Sequence, residues 1–362
     1  MRLRLAAILT LIAAPALAQS LTVPAAPIID GAIDGYLRPG FHAFATDAAA
    51  FATTAHALCA APSAPALTAA QDAFKATALT YAHIEFARLG PLNAGSRAER
   101  LLFWLDPKGI ALKQVQAALG GKDASVLDPD TLKTKSVAMQ GFVAAEFLLF
   151  GIGRDTLAAP APDQAFRCGY LAAITTLVSG IASAMDREWQ DTAPTGPVAA
   201  MRDPQPDGED YRSTDEVVQK ITQALTVGSD TIRDQRLSPI LGAAEGTPKP
   251  KSALFWRSGL TMAMIGADFA GLRALYNAAA LPAALAKAGE ASVSNGILFE
   301  LDNADRAVAL VTKPIDQAVA DPDQLKQLNY LVFITRSLDT VLGQNLPDAL
   351  GLTNGFSLLD GD

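Results

Sequence analysis

Apolar residues recur every three to four positions along most of this chain, as they do in helices that pack on one side. Alternation of apolar and polar residues, which is typical of strands, is scarce, and alanine, a strong helix former, is abundant. We therefore predict an all-α protein. The predicted helical segments are 31–58, 68–89, 110–119, 136–151, 163–190, 210–238, 252–279, 292–319 and 322–342.

Turn and capping residues predict where several of these helices begin. The first long helix should follow a turn at Arg38-Pro39-Gly40, and the proline-containing stretch 60–65 should end it. Thr68 is placed to cap the second helix, and Asp321 precedes a proline at the first turn of the last one.

Residues 192–210 are rich in proline and glycine and have no hydrophobic period. We interpret this stretch as a connection between two packed helical bundles. The predicted units are an N-terminal bundle over 19–195, a linker over 196–209 and a C-terminal bundle over 210–362.

The first eighteen residues have the pattern of a secretory signal peptide. Arg2 and Arg4 precede an apolar run, and Ala16-Leu17-Ala18 offers a cleavage site after Ala18. The run is shorter than the roughly 20 residues that a membrane-spanning helix needs. We therefore expect a periplasmic or cell-envelope protein without a membrane span.

The charge balance argues against nucleic acid as a partner. The chain has 29 Lys and Arg against 37 Asp and Glu, and its net charge is −8. Binding to phosphate backbones needs a basic surface, and no helix carries a basic run.

The two cysteines, Cys59 and Cys168, are candidates for a disulfide because an exported chain reaches an oxidising compartment. A bridge closing about a hundred residues would stabilise the fold by roughly 4–5 kcal/mol in the chain-entropy model. The alternative is two buried thiols that act as small apolar side chains.

Glu146 lies in the otherwise apolar segment Ser136–Gly151 and shares a helix face with apolar residues, so it should point toward a core. A buried carboxylate needs a cationic or hydrogen-bonding partner, or it takes up a proton. A structural ion pair and a ligand or metal site are both open interpretations.

This segment resembles the G-x-H-x-x-E motif of the imelysin family. It keeps Gly141, Glu146 and the following Phe147–Gly151, but Val143 occupies the histidine position. Four further strings resemble the family: E-x-x-R-x-G-P at 85–91, F-W-x-D at 103–106, W-R-S-G at 256–259, and a glycine-phenylalanine and D-G-D ending at 355–362.

The resemblance implies two related helical-bundle domains in a bacterial cell-envelope protein linked to iron uptake. Family members have been described as metallopeptidases. A histidine and a glutamate three residues apart could bind one metal, whereas valine offers no lone pair. The substitution at Val143 therefore argues against that activity here.

Arg257 also lies in an apolar context and should seek a carboxylate, either Glu146 or Glu85. Glu85 and Arg88 are one helical turn apart and could also pair with each other. We expect Glu146 to be the central acceptor of a binding site and Arg257 and Arg88 to be its cationic counterparts. The candidate ligand-binding residues are Glu146, Arg257, Arg88, Glu85, Ser258 and Trp104.

The histidines His42, His56 and His83 lie at spacings that favour structural or surface roles over a shared metal site. No zinc-protease, nucleophile-elbow or phosphate-loop motif is present. A carboxylate site for iron or another cation stays open, and Asp360 and Asp362 are either such ligands or a solvated acidic tail.

We therefore expect a periplasmic, non-enzymatic binding protein with its site where the two bundles meet. Its partner would be a small ligand or an envelope component of iron uptake. The rival hypotheses are a metallopeptidase of the imelysin type and a structural envelope scaffold.

Overall fold

The computed structural model describes residues 21–161, 163–242 and 246–352. Within these ranges the regular structure consists of helices, with no strand, so the all-α prediction is confirmed. The predicted signal peptide and the acidic ending with Asp360 and Asp362 lie outside the described residues and stay predictions.

The α-helices of the described ranges are numbered in chain order. They are α1 (Ala26–Ala32), α2 (Arg38–Ala60), α3 (Ala64–Ala82), α4 (Arg97–Leu101), α5 (Ile110–Gly121), α6 (Pro129–Leu132), α7 (Gly141–Phe150), α8 (Gln164–Gln190), α9 (Pro197–Arg202), α10 (Thr214–Asp230), α11 (Ser238–Leu241), α12 (Thr261–Ala278), α13 (Leu281–Lys287), α14 (Ala291–Leu310), α15 (Ile315–Ala318), α16 (Pro322–Thr340) and α17 (Leu346–Leu350). Short 3₁₀ turns lie at Gly90–Ser96, Ala124–Val126, Val137–Met139, Arg154–Ala158 and Pro250–Ser252.

In the N-terminal part, α2 packs along α3 and α8, and α7 lies against α3 and α8. Aromatic rings fill the space between these helices. Phe74 of α3 meets Phe142 of α7 edge to face at 6.1 Å, and Phe41 of α2 stacks on Trp189 of α8 at 5.8 Å. Such ring pairs add to the burial of apolar area that holds helices together.

In the C-terminal part, α14 and α16 pack side by side, and α10 and α12 close the group. The hydroxyl of Ser229 on α10 donates a hydrogen bond to the Thr335 carbonyl on α16 at 3.1 Å. Helix α12 also packs against α3. This contact is close, because a Cβ atom at Gly271 would lie only 2.2 Å from the carbonyl oxygen of His83. The two groups of helices therefore meet at a tight interface, which we call the seam.

The beginning of the described chain packs on the C-terminal helices. The backbone N–H of Thr22 donates to the carbonyl of Leu350 at 2.9 Å, and α1 contacts α10 and α12. The stretch 196–209, interpreted as a linker, contains α9, in which Val198 and Met201 are buried. The boundaries of the predicted units, and their relation by duplication, stay predictions.

Three π-helical turns continue one α-helix into the next. Each lies immediately before a helix whose first turn contains a proline. The turns are Ile33–Leu37, Thr231–Leu237 and Val341–Asn345, and the prolines are Pro39, Pro239 and Pro347. Proline has no N–H and its ring clashes with the carbonyl four residues earlier, and a wider turn relieves that conflict. The predicted turn at Arg38-Pro39-Gly40 is therefore wrong, since the helix runs through these residues.

Cys59 and Cys168 form the predicted disulfide, with their Cα atoms 5.4 Å apart. Cys59 lies in the last turn of α2, and Cys168 in the first turns of α8. The bridge thus joins two helices that already pack along each other.

Two predicted helix starts are wrong. Helix α3 begins at Ala64, because Ser63 accepts a capping hydrogen bond from the N–H of Ala66 at 3.3 Å, whereas the Thr68 hydroxyl only donates back to the carbonyl of Ala64. Helix α12 begins at Thr261 and not at 252, and the preceding residues form a loop.

Helix α8 is long and apolar enough to cross a bilayer by length and composition alone. Half of its apolar window is buried inside the protein, where it faces α2. The same properties are found in core helices of soluble proteins, so the expected absence of a membrane span stays a prediction.

Candidate functional site

Helix α7 places Glu146 in the interior. Nearly all of its residues are buried, so the helix is enclosed on all sides, and Glu146 points into the core as predicted. The helix begins at Gly141, whose φ is +65°, and a Cβ atom there would lie 2.2 Å from the carbonyl oxygen of Leu101. Only glycine tolerates that conformation and that close approach. Gly141 therefore lets α7 enter the core at this point.

Glu146 receives hydrogen bonds from the C-terminal part of the chain. Its Oε1 accepts one from the backbone N–H and one from the hydroxyl of Ser258, each at 2.9 Å. Its Oε2 faces the guanidinium of Arg257, with Nη1 at 3.9 Å. The predicted pairing of Glu146 with Arg257 is thus present, and Ser258 supplies the direct hydrogen bonds.

The loop that holds Glu146 has an unusual backbone. Phe255 has φ +57° and Gly259 has φ +72°, so the chain turns sharply before α12. The Ser258 hydroxyl also lies within hydrogen-bond distance of the Phe255 carbonyl, and Leu260 N–H donates to that carbonyl as well. These internal bonds fix the loop so that its N–H groups point toward the carboxylate.

The electrostatics of Glu146 reflect two opposing effects. Burial raises the pKa of Glu146 above its ordinary value, and the hydrogen bonds from Ser258 and the positive charge of Arg257 lower that pKa in part. Burial is the larger effect. A carboxylate with a raised pKa and fixed donors is a feature of functional sites and also of structural ion pairs.

Arg257 lies between aromatic rings. Its guanidinium carbon is 4.6 Å from the centre of the Trp256 ring and 5.7 Å from that of Phe147. Burial lowers the pKa of Arg257, and Glu146 raises it in part. The side chain keeps 21% of its surface exposed, so it is less buried than its apolar context predicted.

A second charged cluster lies buried in the same seam. Arg236, in the second π-helical turn, forms ion pairs with Glu85 and with Asp268 of α12, the latter at 3.4 Å. Burial and the neighbouring Glu85 raise the pKa of Asp268 well above its ordinary value, although Arg236 opposes this. The protonated form of Asp268 is therefore favoured more strongly here than for an aspartate in water.

Two expected contacts are corrected by this arrangement, and Trp104 has a contact for which no partner was predicted. Arg88 pairs with Glu99 at 3.1 Å on the surface and is not a counterpart of Glu146. Glu85 pairs with Arg236 and not with Arg88. The indole N–H of Trp104 donates to the Gln235 carbonyl at 2.8 Å, so Trp104 contacts the segment carrying Arg236.

The residues around Glu146 do not fit a metal centre. Val143 has no lone pair, and Oε1 of Glu146 is already occupied by the donors of Ser258. The described residues contain no group of three or more His, Cys, Asp or Glu side chains that could hold a metal ion. His42 and His56 contact Asp186 and Thr176 elsewhere on the surface.

Two surface cavities lie away from this seam. One, of about 410 Å³, is lined by residues that include Phe333 and Arg336 of α16. The other, of about 720 Å³, includes His42 and Asp186. Glu146 lines neither of these two cavities.

Comparison with known sequences identifies one family. The family described as imelysin, peptidase family M75, matches residues 37–340. None of the curated proteins searched shows a significant match.

Two solved structures have the same fold. An imelysin-like protein from Psychrobacter arcticum superimposes with a TM-score of 0.73 at 21% identity, over 93% of this chain and 99% of the other. A protein from Parabacteroides distasonis, described as an iron-regulated protein A precursor, superimposes with a TM-score of 0.76 at 14% identity, over 92% of this chain and 98% of the other.

Proposed function

The chain belongs to the imelysin family, and on that premise we propose that it is an exported, non-enzymatic binding protein that acts in iron acquisition. Its ligand site would lie at the seam where Glu146 meets Arg257 and Ser258. The name of the Parabacteroides distasonis structure supports the connection with iron, and the family supports a place in the cell envelope.

One observation carries the proposal: a buried carboxylate from one group of helices is held by donors from the other group, beside a partly exposed guanidinium. Packing alone favours apolar residues at such a position, because buried charges are costly even when paired. Charged groups are retained at such seams when they recognise something or set a specific arrangement.

A metallopeptidase is the less favoured function. The histidine position of the family motif is Val143, Oε1 of Glu146 is held by the donors of Ser258, and Oε2 faces the positive charge of Arg257. Metal-dependent cleavage of a protein substrate that a chelator abolishes and Glu146→Gln removes would favour the peptidase over the binding protein.

A structural scaffold is a second candidate, favoured by the two direct hydrogen bonds between Glu146 and Ser258. In that case the seam would only fix the fold. Glu146→Gln would then lower the melting temperature and leave growth under iron limitation unchanged.

The proposal is tested in the source bacterium by deleting the gene and restoring either the wild type or Glu146→Gln. We expect the deletion strain to grow poorly when iron is limiting and normally when iron is abundant. Glu146→Gln should restore growth only in part, because the amide cannot accept the charge-assisted hydrogen bonds that place Ser258 and Arg257.

Glu300→Gln is a matched control, since this acid accepts a hydrogen bond from Ser337 at 2.7 Å away from the seam. It should restore growth fully. Equal growth of the strains carrying the wild type and the Glu146→Gln variant, with both proteins present at the same level, would contradict the proposed site. Normal growth of the deletion strain would contradict the role in iron acquisition.

A further inference from the structure

Positive side chains and aromatic rings alternate around the seam. Arg167 lies 5.7 Å from the centre of the Phe147 ring, and Arg257 lies at the same distance from that ring. Arg257 also lies over Trp256, and the Nζ of Lys251 is 5.8 Å from the centre of that indole. Each such contact favours the charged form of the cation.

These cations differ in whether their hydrogen-bonding groups are used. Arg167 donates to the carbonyls of Phe147, Leu148 and Ile152 at 2.9–3.0 Å, where it caps the end of α7. Its role is therefore structural.

Arg257 keeps its donors free. Its separation of 3.9 Å from Glu146 exceeds hydrogen-bond distance, and among the described residues no other oxygen accepts from this guanidinium. Glu146 is bound instead by Ser258. A guanidinium has five N–H donors in a fixed plane, and here the flanking rings hold that plane in place.

Lys251 adds a second positive charge beside Trp256. Its side chain is exposed, and within the described part of the chain no carboxylate oxygen lies within 4 Å of its Nζ. In a protein with a net charge of −8, this is a local positive surface. Many arginines elsewhere, such as Arg97 with Glu188 and Arg273 with Asp305, already have acidic partners.

We propose that Arg257 and Lys251, held against Trp256, form a binding site for a small oxyanion, namely a carboxylate or phosphate group of a small molecule. The inference rests on the proposed function and assigns its ligand a negative charge. A planar guanidinium that is already fixed loses little conformational entropy on binding a carboxylate or phosphate through two parallel hydrogen bonds. Two cations are too few for the phosphate track of a nucleic acid.

The chemistry also fits the residues described around Glu146, which include no group of metal ligands. A bare ferric ion would be repelled by Arg257 and Lys251 and would find no suitable set of donors there. Iron held in a negatively charged carboxylate chelate would instead be recognised through the free oxygens of the chelator.

The test is calorimetric titration of the purified protein with citrate, ferric citrate and inorganic phosphate in separate runs. We expect at least one of these probes to bind, with an affinity that falls as the salt concentration rises. Binding of the citrate probes alone identifies the oxyanion as a carboxylate, and binding of phosphate alone identifies it as a phosphate. No binding of any probe would overturn the inference.

Variants locate the site. Arg257→Gln should weaken binding about tenfold or more, and Lys251→Gln by roughly two- to fivefold, in line with the difference between a bidentate and an exposed charged contact. Arg187→Gln is the control, because among the described residues this exposed arginine donates only to Ser183 on its own helix. Lys251 is exposed, so its variant keeps the fold even if the Arg257 variant unfolds. Affinities of the Lys251 and Arg257 variants equal to that of the control would overturn the inference.

The two proposals fail separately. If no probe binds but Glu146→Gln impairs growth under iron limitation, the oxyanion site is wrong and the proposed function stands. If an oxyanion binds through Arg257 but the deletion strain grows normally when iron is limiting, the role in iron acquisition is wrong and the oxyanion site stands.

Discussion

At the scale of single residues, the seam is governed by groups whose burial must be compensated. Glu146 is compensated by two hydrogen bonds from Ser258, whereas burial raises the pKa of Asp268 and so favours its neutral form. Hydrogen bonds to a charged group are worth roughly 1.5–3 kcal/mol each, which is of the same order as the effective cost of burying a partly solvated charge. The hydrogen bonds to Glu146 and the raised pKa of Asp268 both reduce the cost of placing an ionisable group in the protein interior.

Asp268 predicts a specific pH dependence. An aspartate whose folded-state pKa is raised binds its proton more tightly in the folded protein, so its contribution to stability is full below the unfolded pKa and is lost as pH rises toward the folded pKa. The free energy of unfolding of the wild type, relative to Asp268→Asn, should therefore fall as pH rises from the ordinary value of 3.8.

The measurement is urea denaturation of both proteins across pH. Asp316→Asn, at an exposed position, is the control and should follow the wild type. A constant difference between Asp268→Asn and the wild type at all pH values would show that Asp268 does not hold a proton in the folded state.

Gly141 predicts a large steric effect. In Gly141→Ala the new Cβ would lie 2.2 Å from the carbonyl oxygen of Leu101 and 2.4 Å from that of Arg100, at a φ of +65°. We expect a loss of roughly 3 kcal/mol or more in the free energy of unfolding, since both backbone strain and a clash with fixed atoms are involved. Gly180→Ala, at a helical site with no neighbour within 4 Å, should instead be neutral or stabilising by up to about 1 kcal/mol. Similar losses in both variants would contradict this explanation.

Residue patterns predicted part of the site. An acid among apolar residues pointed to a buried Glu146, and an arginine among apolar residues pointed to its partner Arg257. Asp268 and Arg236 were missed, although each is charged within a helical segment, because a single charge in an amphipathic helix is normally on its solvated face. Both residues are buried because helices from both parts of the chain pack over them. The local sequence pattern around each residue carries no information about that packing.

At the scale of secondary-structure elements, the spacing of apolar residues predicts that the helices exist but not the residues at which they begin and end. The mostly apolar stretch 252–260 predicts helix, yet it is a loop, because the positive φ values of Phe255 and Gly259 end any helix there. The glycine at 259 is a sequence signal for the end of a helix, whereas no sequence signal predicts a positive φ at Phe255. The loop matters for function, since it carries Arg257 and Ser258.

The π-helical turns explain why proline did not break the first helix. A rule that ends a helix at proline assumes the regular hydrogen bond to the carbonyl four residues earlier. At Pro39 the preceding turn, Ile33–Leu37, is wider, so the chain continues in the same direction. The second such turn carries Arg236 into the seam.

The disulfide between α2 and α8 should contribute strongly to the free energy of unfolding. Its cysteines are separated by 109 residues, so replacing both by alanine should lower the free energy of unfolding by roughly 4–5 kcal/mol in the chain-entropy model. Guanidinium denaturation would measure it, and the wild type unfolded in the presence of a reductant should match the variant. A loss below about 1 kcal/mol would show that the packing of α2 on α8 is sufficient alone.

At the scale of the whole molecule, two groups of helices meet along a seam that contains two charged clusters. One is Glu146 with Ser258 and Arg257, and the other is Glu85 with Arg236 and Asp268. The first lies beside exposed cations and is the proposed binding site, whereas the second is fully enclosed. Two of the strings that resemble the family, 85–91 and 256–259, supply residues to this seam together with the segment of Glu146.

The central claim is that Glu146 joins the two groups of helices through Ser258. A double-mutant cycle of Glu146→Gln and Ser258→Ala, measured as free energies of unfolding, tests it most directly. We expect the two substitutions to be coupled by about 1–2 kcal/mol, since each removes the same charge-assisted hydrogen bond. Losses that simply add, within about 0.3 kcal/mol, would mean that the carboxylate and the hydroxyl do not interact, and the proposed site would be contradicted.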